Sequence, residues 1–170
     1  MAEQDWTRQP AANASGTTRD PADILAALAA TPGELGRMVD GSTVDALTQP
    51  SHDGGAAVVE LVAHQRDWEA VVDDWVEHML ADDRPPVLEV PDDSLWAIEH
   101  DYASEDPRRA LATFRERRAG LLALLDGLDD AGWARTGVFA GDGDRTVRQV
   151  LDVLCNRDAE HLRRVREALA

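Results

Sequence analysis

The segment from Thr146 to Leu169, TVRQVLDVLCNRDAEHLRRVREAL, restricts the fold more than any other part of the chain. Val147, Val150, Leu151, Leu154, Val165 and Leu169 recur at helical spacing and form one apolar stripe. Thr146 followed by Gln149 is a capping box, so this helix has a defined start. At about 100° per residue, His161 falls near the middle of the stripe, with Asp158 on one side and Arg157 on the other. Such a face must be buried against other elements. Polar groups on a buried face cost free energy unless they are partnered, so function is sought on this face and opposite it.

Three more segments carry the same period. Asp20-Pro21 opens a helix with an N-cap and a first-turn proline, and Ile24, Leu25 and Leu28 line it. Thr31-Pro32 repeats the start signal, so a kink or restart is expected there before Leu35, Met38 and Val39 and a stop at Gly41. A second helix is expected from about Ala56 to Leu80, with Val58, Leu61, Trp68, Val72, Trp75, Val76 and Met79 as its stripe. Asp106-Pro107 starts a third, carrying Leu111, Phe114, Leu121, Leu122 and Leu125. Between the second and third lies a long connection with Pro85-Pro86 and a short helix over residues 92–100. Residues 129–145, with four glycines, read as a loop; GVFAGDG is too short and glycine-rich to read as a strand. The expectation is an all-α four-helix bundle with a long crossover between helices two and three. Residues 1–19 read as a disordered tail with Trp6 as its one anchor, and residues 20–170 as the domain.

Charge and cysteine content exclude several classes. The chain carries 17 basic and 33 acidic residues, a net charge of −16, and every basic residue is Arg. This balance argues against nucleic acid and anionic membrane as partners. No apolar run approaches the roughly 18 residues of a membrane span, and the N-terminus lacks the features of a signal peptide. A cytoplasmic protein is expected. Cys155 is the single cysteine and reads as a small hydrophobe rather than a reactive thiol.

The inward polar set is His64, Arg118, Asp158 and His161, with Arg157 just off the face. Three readings stay open. One is a buried ion-pair network joining Arg118 and Arg157 to Asp158, Glu60 or Asp67. Another is a pocket in which the arginines hold a small anionic ligand, since the planar guanidinium matches a carboxylate. The third is a divalent-metal site on His64 and His161, completed by a carboxylate such as Asp158 or Glu60. A ligand one turn before His161 would fall at Arg157, which is cationic and cannot ligate. His52, His78 and His100 read as solvated or capping, and Trp68 and Trp75 as core.

Taken in order, VVELVAHQRDWE, DPRRALATFRERRAGLLALL, AGWARTGVF and TVRQVLDVLCNRDAEHL resemble the DinB-like superfamily of four-helix bundles. That superfamily includes YfiT-like proteins and the N-terminal domain of mycothiol-dependent maleylpyruvate isomerase. The resemblance covers about residues 20–169. It implies a three-histidine nickel or zinc site, with one histidine on helix two and an H-D-x-x-H pair on helix four. His64 matches the first histidine, Asp158 the aspartate and His161 the last histidine. Arg157 stands where the middle histidine would be, so the site is degenerate. The resemblance also implies a homodimer. It leaves a small-molecule-binding or structural role, with a metal-dependent thiol transferase or hydrolase as the alternative.

Overall fold

The computed structural model describes residues 17–51 and 54–170. Most of the expected tail, including Trp6, lies outside the described residues, as does His52. Four long helices make the bundle: α1 (Pro21–Asp40), α3 (Val58–Ala81), α5 (Pro107–Leu125) and α7 (Val147–Ala168). Three short ones, α2 (Val44–Thr48), α4 (Trp96–Glu99) and α6 (Asp130–Trp133), lie in the connections. Helices α1 and α3 each pack on both α5 and α7. The crossover from α3 to α5 is the long connection expected from the sequence. Among the described residues, no helix is long and apolar enough to cross a membrane.

Helix α1 runs unbroken through Pro32, and the expected restart does not occur. The missing N–H of Pro32 leaves the Leu28 carbonyl, four residues earlier, without its helical donor. The Arg118 guanidinium supplies that donor instead, Nη1 to Leu28 O at 2.9 Å. A tertiary contact has replaced the lost backbone bond, so the helix continues.

Residues 129–145 are not the loop expected. They hold α6 and a hairpin, β2 (Thr136–Phe139) and β3 (Gly143–Thr146), with β1 (Val87–Leu88) from the crossover pairing parallel to β2. Gly141 and Gly143, at φ +83° and +81°, make the tight reversal that other residues resist. Phe139 points inward and meets Trp75 edge-on, centroids 5.0 Å apart. The sheet closes one end of the bundle and ties the crossover to the start of α7.

The N-terminal side of the domain is pinned before α1 begins. Both the backbone N–H and the guanidinium of Arg19 donate to Asp152 Oδ1, and Arg19 Nη2 reaches Asn156. Arg19 falls in the stretch expected to be a tail, and its contacts bring the ordered region at least that far forward. The Asp152 side chain is fully buried. Arg19→Ala would leave its carboxylate without its cation, and we expect a stability loss of about 1–3 kcal/mol in urea unfolding. A loss within measurement error would show that the Arg19 contact contributes nothing net.

The core falls into two apolar clusters, one around Leu28, Trp68, Trp75, Leu121 and Leu151, the other around Leu35, Val62, Phe114 and Leu162. On each long helix a buried polar residue falls between the two: Thr31, Gln65, Arg118 and Asp158. A polar layer therefore crosses the middle of the bundle.

Candidate functional site

The polar residues expected inside the bundle separate into two neighbouring groups. The deeper is built on Arg118, whose side chain is fully buried. Its Nε and Nη2 donate to the two Glu69 oxygens at 2.5 and 2.7 Å. Nη1 and Nη2 donate to Asp158 at 2.7 and 3.1 Å, and Nη1 also reaches Leu28 O. All five guanidinium N–H groups are thus used. Asp158 accepts further hydrogen bonds from Thr31 and Gln65. Of the expected carboxylates only Asp158 takes part. Glu60 caps the Ala57 N–H, and Asp67 accepts from Arg66, His100 and Tyr102. The partner missed is Glu69. Its position three residues before Val72 and seven before Val76 placed it on the buried face.

Two carboxylates around one guanidinium leave an excess negative charge. Burial, opposed by Arg118 and reinforced by Asp158, holds the Glu69 pKa above its usual value. One turn along α3, Asp73 is pushed up to about 7 by burial and then by Glu69. Its Oδ1 is buried and has no hydrogen-bond partner among the described residues. A folded-state pKa raised above 3.8 means that the native state holds this proton more tightly than the unfolded state. Its stabilising contribution is complete below pH 3.8 and is lost as pH rises toward about 7. Asp73→Asn should therefore gain on the wild type across that window and keep a constant margin above it, read from urea midpoints at several pH values. A flat difference would mean that Asp73 is solvated.

The second group opens toward the surface and contains the two histidines. His161, on α7, is buried. Its Nδ1 lies 3.1 Å from the Arg157 carbonyl, which only accepts, so Nδ1 carries a proton. Burial, with the charges of His64 and Arg157, holds the His161 pKa well below the usual value, so its Nε2 presents a lone pair. That lone pair faces His64 Nδ1, from α3, at 3.2 Å. His64 Nε2 faces Asp93 Oδ2 at 2.9 Å. Burial would raise the Asp93 pKa, but hydrogen bonds from His64 and Trp68 outweigh it and keep the carboxylate ionised. His64 Nε2 must then donate to Asp93. The gap between the imidazoles therefore suits an electropositive group.

Arg157 borders this pair. Its guanidinium lies 4.2 Å over the Trp68 ring, and Nη2 is 3.9 Å from Asp93 Oδ2. Burial pushes its pKa down to about 10, a shift that Asp93 and Asp158 only partly offset, so it remains cationic at neutral pH. Trp68 Nε1 donates to the same Asp93 oxygen at 2.6 Å. Asp93 lies in the crossover, where no periodicity marks a residue as inward, and the sequence carried no signal for it.

A bound metal ion would need more than these residues offer. Two nitrogens of one tetrahedral ion stand about 3.3 Å apart, close to the observed separation. A third ligand is absent: no group of three His, Cys, Asp or Glu suited to a metal occurs among the described residues. Asp93 lies on the far nitrogen of His64, Asp158 is committed to Arg118, and Glu60 caps α3. With a fixed guanidinium beside the pair, the set does not fit a complete metal centre. Cys155 offers no substitute: it is buried, with its pKa pushed up to about 12 by burial and Asp158.

These features define a helical bundle with a polar centre between its second and fourth helices. The chain belongs to the DinB superfamily, whose sequence model matches residues 27–165. Among solved structures it is similar to YfiT from Bacillus subtilis, described as a probable metal-dependent hydrolase with an unusual four-helix bundle topology. The TM-score is 0.79 at 22% identity, covering 92% of this chain and 89% of that one. A comparison with curated proteins finds no match.

Proposed function

We propose that this chain is a metal-independent member of the superfamily, whose centre, with His64 and Arg157 as donors beside His161, binds a small anionic molecule. The observation carrying this reading is the buried Arg157 guanidinium, one helical turn before His161, at the position where the resemblance to metal-binding members implies a histidine. It puts a fixed positive charge where a metal would need a third ligand. It also gives the site a group suited to carboxylates. Elemental analysis of protein purified without chelator tests it. Metal content well below one ion per chain is expected, and tight stoichiometric nickel or zinc would sink the reading.

The 3.2 Å approach of His64 to His161 favours a second reading, a metal-dependent hydrolase or thiol transferase. YfiT is described as a probable enzyme of the first kind. A bound ion would act there as a Lewis acid. On this reading His64→Ala abolishes metal uptake and turnover together, and unchanged uptake would exclude it.

A further inference from the structure

Two hydrogen-bond donors and a guanidinium converge on one carboxylate oxygen that the chain itself supplies. His64 Nε2, Trp68 Nε1 and, at longer range, Arg157 Nη2 all point at Asp93 Oδ2. The donors come from α3 and α7, which are rigid parts of the bundle, whereas Asp93 comes from the crossover. Three residues on, Trp96 lays its ring against Trp68 and His64, with centroids 5.5 and 6.0 Å apart. The crossover therefore places a carboxylate and a flat aromatic side by side against His64 and Trp68.

The ends of this strap are fastened independently of those two residues. On one side, Trp75 Nε1 donates to Glu89 O, and Leu88 pairs with β2. On the other, the buried Tyr102 donates to Asp67, and Arg66 binds Glu105. Residues 90–99 lie between these fastenings, the second of which includes His100 Nδ1 on Asp67 Oδ2 at 2.9 Å. The backbone hydrogen bonds over 93–101 are local, joining Trp96 to Asp93, Glu99 to Leu95 and His100 to Trp96. Leu95 and Ile98 are turned outward, 55% and 80% exposed. Lifting this stretch would break the Asp93 contacts and the packing of Val90 and Trp96 on the core, but would leave the β1 pairing and the long helices in place. It would also expose the His64 and Trp68 donors and the Arg157 cation beside the indole face of Trp68.

We propose that Asp93 and Trp96 are a tethered stand-in for the ligand, and that the site takes a small organic carboxylate carrying a planar apolar group. The carboxylate replaces that of Asp93 on His64, Trp68 and Arg157. The planar body replaces the Trp96 ring. This rests on the metal-free reading of the centre.

Benzoate is the probe, with acetate and chloride at matched ionic strength as comparators. Binding is followed by calorimetry and tryptophan fluorescence on the full chain. Asp93→Ala removes the internal competitor and should bind benzoate at least about tenfold more tightly than the wild type. Asp93→Asn, of nearly the same shape, serves if the alanine variant does not fold. Adding Arg157→Met should abolish the gain. Equal benzoate affinity in wild type and variant, persistence of the gain without Arg157, or chloride binding as tightly as benzoate would each overturn the proposal. Metal content is measured on the same samples. One ion per chain would defeat the metal-free reading, whereas metal-free protein that ignores benzoate defeats only this inference.

Discussion

Arg118→Met is expected to destabilise the fold by about 3–5 kcal/mol, the range for breaking a buried ion pair from one side. The substitution strands Glu69 and Asp158 inside the bundle and takes away the donor of Leu28 O. Total stability of a domain is only about 5–15 kcal/mol, so the loss is a large share of it. The cost comes from what remains, not from the strength of the pair. Replacing Glu69 and Asp158 by apolar residues in the same background should recover most of it, because the buried charges are then gone together. Arg118→Lys should fall between, keeping the charge but not the fork that reaches both carboxylates. Denaturant unfolding at constant slope is the measurement. A loss under about 1 kcal/mol for Arg118→Met, in the range of an exposed pair, would mean that the guanidinium is hydrated.

Arg157→His should convert the centre into a metal site. The new imidazole lies four residues before His161 on the same face of α7, opposite His64, whose Nδ1 is already 3.2 Å from His161 Nε2. Three nitrogens then surround a gap from which the fixed cation has gone. One nickel or zinc ion per chain is expected. The unfolding temperature should rise with metal concentration, equivalent to about 2.7 kcal/mol at a hundred times the dissociation constant. Arg157→Gln removes the charge without adding a ligand and should bind none. Adding His64→Ala to Arg157→His should remove the binding again. A folded Arg157→His protein that takes up no metal would show that the imidazoles do not converge.

Burial periodicity carried most of what was legible in the sequence. The four helices follow from apolar residues at helical spacing and from their caps, and His64, Arg118, Asp158 and His161 were visible as polar residues on those faces. Pairings were harder to see. Arg118 had Asp158, Glu60 and Asp67 as candidate partners; Asp158 is one of its two carboxylates, but the other is Glu69 rather than Glu60 or Asp67. Pro32 read as a kink or restart because a proline's missing N–H is a local deficit. The donor that makes it good comes from residue 118. The hairpin at 136–146 was missed for the same reason: its strands are too short to show alternation, and they persist because β1 and Trp75 cover them.

What the sequence determined by itself is the set of faces: which side of each helix is buried, where each starts, and that a guanidinium stands one turn before His161. These are local properties, set by side-chain spacing along one chain direction. Only the tertiary structure decided which inward groups meet. The bundle sorted the expected polar set into a saturated layer around Arg118 and an outward centre at His64 and His161, and it brought Asp93 in from the crossover to join the second. Burial makes each charged group need a partner, but distance along the chain does not say which one, because helix packing brings together residues such as Glu69 and Arg118 that are far apart in sequence.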